Sequence, residues 1–131
     1  MKKVIKIAFV MIMCMATIGC ANSPKLTSAQ KECCKEVDGH LENFAEEFNV
    51  KFTKEIKEKE GKILYIAKLN ATDNSTANFN DSNASSFDQY LRPAMEDILH
   101  EENLYFALYL CNDGEEVYRI TDSMLNPEIL D

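Results

Sequence analysis

Two pairs of short apolar runs, each closed by a tight turn, constrain the fold of this 131-residue chain more than any other feature. In the second pair, residues 104–111 and 116–121 flank the dipeptide Asp113-Gly114, which is a strong hairpin signal. In the first pair, Val50, Phe52 and Ile56 alternate with polar residues, and an almost continuously apolar run follows at residues 63–69. The sequence therefore predicts two β-hairpins.

Each predicted hairpin follows a segment with helical periodicity. Residues 25–48 contain a capping box at Thr27, and their apolar side chains return to one face. A second capping box at Ser86 precedes apolar residues at three- and four-residue spacing, namely Phe87, Tyr90, Leu91, Ala94, Met95, Ile98 and Leu99. Because Pro93 has no backbone N–H, we expect this second helix to kink or restart there.

These elements predict an α+β fold with the order α-β-β-α-β-β. We expect a two-layer sandwich, in which the two hairpins form one four-stranded antiparallel sheet and both helices pack on one face of it. Residues 26–131 would form this single domain. Residues 70–86 are rich in Asn, Ser, Thr and Asp, with Phe79 as their one large apolar residue, and we expect them to form a mobile loop.

Strand alternation predicts a tyrosine-rich surface on the side of the sheet away from the helices. In the second hairpin, Leu104, Phe106, Leu108 and Leu110 fall on one face, which we expect to meet the helices. The opposite face would then carry the candidate binding residues Tyr105, Tyr109, Tyr118 and, from the first hairpin, Tyr65. Such tyrosines form contact surfaces for proteins, peptides or sugars. Alternatively, residues 70–86 or residues 123–131 cover them.

Three cysteines fall within the predicted domain, and a disulfide is one interpretation of them. Cys33 and Cys34 lie on the first predicted helix, on either side of the centre of its apolar stripe, and Cys111 lies in the last hairpin. An oxidising compartment would allow Cys33 or Cys34 to pair with Cys111. The face assignment argues against this pairing, because it directs Cys111 away from the helices.

The first twenty residues are typical of an export signal. Three lysines precede an apolar run at residues 7–16, which is too short to span a bilayer, and small Gly19 directly precedes Cys20. This ending resembles the lipobox of bacterial lipoproteins, in which the cysteine is lipidated and becomes the new N-terminus. The resemblance covers only these residues. It implies that residues 1–19 are a signal peptide, that Cys20 is the lipidation site and that residues 20–25 form a tether.

The resemblance also implies a location. The mature chain would be exported and held by its lipid at a bacterial membrane, on the periplasmic side of the outer membrane, with the cell surface and the inner membrane left open. An uncleaved membrane anchor, or a signal cut at another residue, is the alternative interpretation of the same segment.

Charge limits the partners of the mature chain. Three of the fourteen Lys and Arg residues and none of the twenty-two Asp and Glu residues lie in the signal, so eleven positive and twenty-two negative side chains remain, a net charge of −11. Basic steering toward nucleic acid or an anionic membrane is therefore disfavoured. A cationic partner, or solubility alone, agrees with this charge.

The sequence contains no recognisable catalytic, metal or nucleotide motif. His40 and His100 stand at no metal-ligand spacing, and the adjacent Cys33-Cys34 pair is not a Cys-x-x-Cys redox site, so we expect no catalytic residue, metal or cofactor. We predict a non-catalytic module that contacts the membrane through its lipid and binds an unknown protein or envelope ligand. The alternatives are an inhibitor or immunity-type protein that neutralises a basic toxin or hydrolase, and a thiol-dependent enzyme or redox protein.

Overall fold

A computed structural model describes residues 24–131. The predicted signal peptide, the lipidation site Cys20 and most of the predicted tether lie outside the described residues. The described chain confirms the predicted α+β class and element order. Its elements are α1 (Ser28–Phe48), β1 (Lys51–Lys59), β2 (Lys62–Ala71), α2 (Asp81–His100), β3 (Leu104–Asn112), β4 (Glu115–Thr121) and a short 3₁₀ helix (Pro127–Leu130).

Local sequence signals account for most element boundaries. The predicted capping box at the start of α1 is present, because Thr27 and Gln30 exchange two hydrogen bonds of 3.0 Å. Each hairpin turn has two residues with positive φ, which is the requirement of a type I′ turn. They are Glu60 and Gly61 in the first hairpin, and Asp113 and Gly114 in the second. Within residues 24–131, neither helix combines the length and the apolarity that a bilayer crossing demands.

The sheet is mixed rather than fully antiparallel. Its strand order is β1-β2-β3-β4, with antiparallel pairs at both edges and a parallel pair, β2 and β3, at the centre. The prediction of an all-antiparallel sheet is therefore wrong for the central pair. The cause is α2, because a helix that runs back along the sheet returns the chain to the end where β2 began, and β3 then starts in the same direction.

The polar segment before α2 is shorter than predicted. Helix α2 begins at Asp81 and not near Ser86, because Asn80 caps it and exchanges hydrogen bonds of 2.9 and 2.8 Å with Asn83. Phe79 is buried, and its backbone exchanges two hydrogen bonds with the side-chain amide of Asn112 at the end of β3. Helix α2 then runs through Pro93 without restarting.

Both helices pack on one face of the sheet, as predicted. The main core contains side chains of α1 and α2 together with those of every strand that point toward the helices, among them Leu41, Leu99, Phe106, Leu108 and Ile120. Full burial of each such side chain contributes about 1.5–3 kcal/mol. The opposite side of the sheet is hereafter the outer face.

The C-terminal tail, residues 123–131, covers part of the outer face. Leu125 and Ile129 are each 7% exposed and form a second apolar cluster with Leu64. The partly buried side chains of this cluster are Ile66, Tyr105 and Leu130. The predicted alternative that the tail shields the outer tyrosines is therefore correct for Tyr105.

Candidate functional site

The four predicted surface tyrosines divide between the two sides of the sheet. Tyr105 and Tyr109 lie on the outer face, where Tyr105 pairs with Leu64 across the sheet and Tyr109 pairs with Lys68. Tyr65 and Tyr118 belong to the helix side instead. The prediction that all four form one surface is therefore wrong for two of them.

Tyr65 is a core residue in a polar contact with α1. Its ring is fully buried, and its hydroxyl donates a 2.5 Å hydrogen bond to Asp38, which also accepts a 2.6 Å hydrogen bond from Lys54. Burial and the adjacent carboxylate raise the pKa of Tyr65 far above its ordinary range, so the phenol remains a donor. No local sequence pattern indicates this contact, because Asp38, Lys54 and Tyr65 come from three different elements, α1, β1 and β2.

Tyr118 faces the helices because β4 contains a bulge. Cys111 pairs with Glu116, but Leu110 pairs with Tyr118, which leaves the intervening Val117 without a partner and 40% exposed. One extra residue reverses the face of every side chain after it. Tyr118 therefore points toward α2 and donates a 2.9 Å hydrogen bond to Asp88.

The contact between α2 and β4 includes a half-buried network of hydrogen bonds and charges. Arg92 forms two hydrogen bonds with Asp88, of 2.7 and 2.8 Å, and donates a third to the carbonyl of Thr121. Burial acts to raise the pKa of Asp88, but the hydrogen bonds from Arg92 and Tyr118 outweigh it and hold that pKa below the ordinary value. This network fixes β4 against the helix layer.

Charge is divided between the two surfaces of the domain. The strand side chains of the outer face include six of the eleven Lys and Arg residues of the described chain but only two of its carboxylates, Glu55 and Glu116. The strands therefore give this face a net charge of +4 on a domain of net charge −11. The six positive residues are Lys51, Lys57, Lys59, Lys62, Lys68 and Arg119.

The half of the outer face beyond the tail forms an open groove. It has a volume of about 330 Å³ and is lined by Thr53, Lys54, Glu55, Ile66, Ala67, Lys68 and Tyr109. Ile66 belongs both to this groove and to the apolar cluster under the tail, so the covered and the uncovered halves are continuous. We refer to the uncovered half as the open groove.

Tyr109 and Arg119 border the open groove on the side of β4. The Arg119 guanidinium lies 4.8 Å from the centre of the Tyr109 ring, within cation–π range. Arg119 also donates two hydrogen bonds of 3.1 Å to Glu116 and approaches the carboxylate of Asp131 at 3.9 Å. An aromatic face beside a planar cation can bind an apolar side chain and a carboxylate side by side.

His100 and Asp122 form a contact that sequence reasoning missed. The Asp122 carboxylate is fully buried and lies 2.8 Å from Nε2 of His100. It also accepts hydrogen bonds from the backbone N–H of Met124, at 2.9 Å, and of Phe106, at 3.3 Å. This carboxylate therefore joins the end of α2, the start of β3 and the base of the tail. The two residues are 22 positions apart, so no local pattern indicates them.

The three cysteines of the domain are free thiols, and the disulfide that the sequence left open is not formed. Burial raises the pKa of Cys33, Cys34 and Cys111, which is opposite to the shift that activates a cysteine nucleophile. Cys34 borders a second cavity of about 490 Å³ between α1 and β1. Within residues 24–131, no three His, Cys, Asp or Glu side chains are gathered as metal ligands.

Comparisons with protein-family models, with curated proteins and with solved structures give no match to this chain. The arguments for its function therefore rest on its own residues.

Proposed function

We propose that this chain is an exported, lipid-anchored and non-catalytic binding module, and that its outer sheet face contacts a protein or another component of the cell envelope. One observation carries the proposal: the open groove combines the half-buried Tyr109 with Lys68, Arg119 lies over the Tyr109 ring, and no described segment of the chain covers the groove. Aromatic and arginine side chains are enriched where proteins bind partners.

The N-terminal pattern supports export and anchoring. A mature chain that begins at Cys20 would place the binding domain directly after a short polar segment, at the membrane that holds the lipid. Intact mass of the chain purified from cells tests this part. We expect cleavage before Cys20 and an added acyl mass, both abolished by Cys20→Ala; an unmodified chain that retains Met1 contradicts it.

The outer face is tested by charge reversal in the full chain. Lys68→Glu with Arg119→Glu alters the open groove, and Lys31→Glu with Lys35→Glu is the matched control, because both control lysines are exposed on α1. The measurement is retention of the solubilised chain by envelope components. We expect the groove variant to lose at least tenfold in retention and the control to retain it within twofold. Equal retention of both variants refutes the proposed surface.

The acidic helix layer favours a second candidate, an inhibitor or immunity-type protein for a basic toxin or hydrolase. Helix α1 has two lysines against six carboxylates, and α2 has one arginine against four. Such a surface would accelerate association with a basic partner. Glu42→Lys with Glu46→Lys, on the exposed side of α1, would then abolish capture, whereas the groove variant would not. The opposite pattern supports the outer face.

A further inference from the structure

We infer that the outer face binds an acidic peptide with apolar side chains, and that the C-terminal tail is an intramolecular version of this ligand. The inference rests on the proposed function, since it names the ligand class of the same face.

The tail has the composition that such a ligand requires. Residues 123–131 contain Glu128 and Asp131 but no Lys or Arg, in contrast to the basic strands below them. The side chains of Leu125 and Ile129 are buried against the sheet, while the Lys59 ammonium donates to the backbone carbonyl of Ile129 at 2.9 Å. The outer face thus already holds one acidic segment through apolar contacts and lysine hydrogen bonds.

The tail ends where the open groove begins. Asp131 approaches Arg119, which lies over the ring of Tyr109. Ile66 packs against the apolar cluster under the tail and also lines the groove. A second segment of the same chemistry therefore has a continuous surface to occupy. Exposed Lys68 is available for its carboxylates, beside Arg119, which already contacts Glu116 and Asp131.

The shape of the open groove favours a peptide over an anionic membrane. Its volume of about 330 Å³ is a recess at the level of Ile66 and Tyr109, and side chains of a peptide can fill a recess. A lipid surface would instead require apolar or basic side chains that project from the domain into the headgroups. An acidic peptide satisfies both the positive charge and the recess.

A ligand that extends from the open groove onto the part of the outer face under the tail must compete with the attached tail. Its base is fixed by the buried Asp122 carboxylate, so its effective concentration at the outer face is high. Loosening the apolar contacts of the tail, while the base remains fixed, should therefore strengthen binding of an external acidic peptide.

The probe for the test is a fluorescent synthetic peptide with the sequence of residues 123–131, titrated against the full chain and followed by anisotropy. The control peptide has lysine at the positions of Glu128 and Asp131. We expect the acidic peptide to bind at least tenfold more tightly than the control. Lys68→Glu with Arg119→Glu should weaken binding at least tenfold, whereas Lys31→Glu with Lys35→Glu should change it less than twofold.

Tail competition is measured with the double variant Leu125→Ser and Ile129→Ser, whose fold is checked by circular dichroism, and with the milder Ile129→Ala. We expect the peptide to bind the double variant at least fivefold more tightly, and Ile129→Ala to shift in the same direction. Equal affinity for both peptides, or no gain in either tail variant, overturns the inference.

Anionic phosphatidylglycerol vesicles test the alternative that the outer face binds a membrane. If they bind the full chain and the acidic peptide does not compete, the outer face is a membrane surface and the inference is wrong. If the groove variant loses envelope retention while no peptide binds, only the peptide inference fails. If envelope retention is unaffected by the groove variant, the proposed function fails.

Discussion

Replacing Asp122 with alanine should destabilise the domain severely, because this buried carboxylate serves three partners. The substitution removes the acceptor for the N–H groups of Phe106 and Met124 and for Nε2 of His100. The Met124 and His100 groups can turn to water, since the Met124 residue is 62% exposed and the His100 side chain 26%. The N–H of fully buried Phe106 cannot.

The magnitude follows from this division. An unsatisfied buried donor costs about 1–3 kcal/mol, and the two exchanged hydrogen bonds add roughly 1 kcal/mol together, so we expect a loss of about 3 kcal/mol. A domain of this size has a total stability of about 5–15 kcal/mol, and such a loss lowers Tm by on the order of 12 °C.

Urea unfolding followed by circular dichroism measures the effect. The matched control is Asp97→Ala, which removes a carboxylate from the exposed side of α2 and should change the free energy of unfolding by less than about 0.5 kcal/mol. A loss below about 1 kcal/mol for Asp122→Ala would refute the argument that this carboxylate satisfies buried donors.

Three further predictions concern buried and partly buried side chains of the domain. Tyr65→Phe removes the hydrogen bond from a buried hydroxyl to the partly buried Asp38 carboxylate and should cost about 1–2 kcal/mol in urea unfolding, whereas Tyr90→Phe, at a residue 72% exposed, should cost nothing measurable. The pKa of Asp88 is lower in the folded state than the unfolded value of about 3.9. The contribution of Asp88 to stability is therefore present above about pH 3.9 and is lost as the pH falls through the folded-state pKa. Asp88→Asn should flatten this part of the acid unfolding curve, and an unchanged curve would disprove the assignment. The three buried thiols should react with a thiol reagent in native protein at least a hundredfold more slowly than in urea, and a rapid native reaction would show that a cysteine is accessible.

Sequence periodicity was sufficient to predict the helices and strands, but it was insufficient to predict which face of the sheet each side chain occupies. The Thr27 capping box and the Asp113-Gly114 turn are local signals, and both appear as predicted. The run of β2 is apolar on both sides, because the helices cover one side and the tail the other, so no alternation indicated where Tyr65 points. The bulge at Val117 likewise could not be predicted, because the pattern of apolar and polar residues in β4 does not indicate it.

The site residues that sequence reasoning missed depend on long-range contacts. Asp122 and His100 meet because α2 and β4 end close together in the fold. The charge difference between the two surfaces can be recognised only when the strand register assigns each lysine to one face of the sheet. Net charge alone disfavoured nucleic acid and anionic membranes as partners, and it agreed with a cationic partner or with solubility alone. The separation of charge in three dimensions reverses that argument for the outer face.

Photocrosslinking from the outer face in living cells tests the account most directly. A photoreactive benzoylphenylalanine replaces Tyr109 in the full chain, and the same residue placed at exposed Tyr90 on α2 is the control. The account predicts a discrete adduct from position 109 that disappears with Lys68→Glu and Arg119→Glu, and none from position 90. An adduct from position 90 without one from position 109 would contradict it.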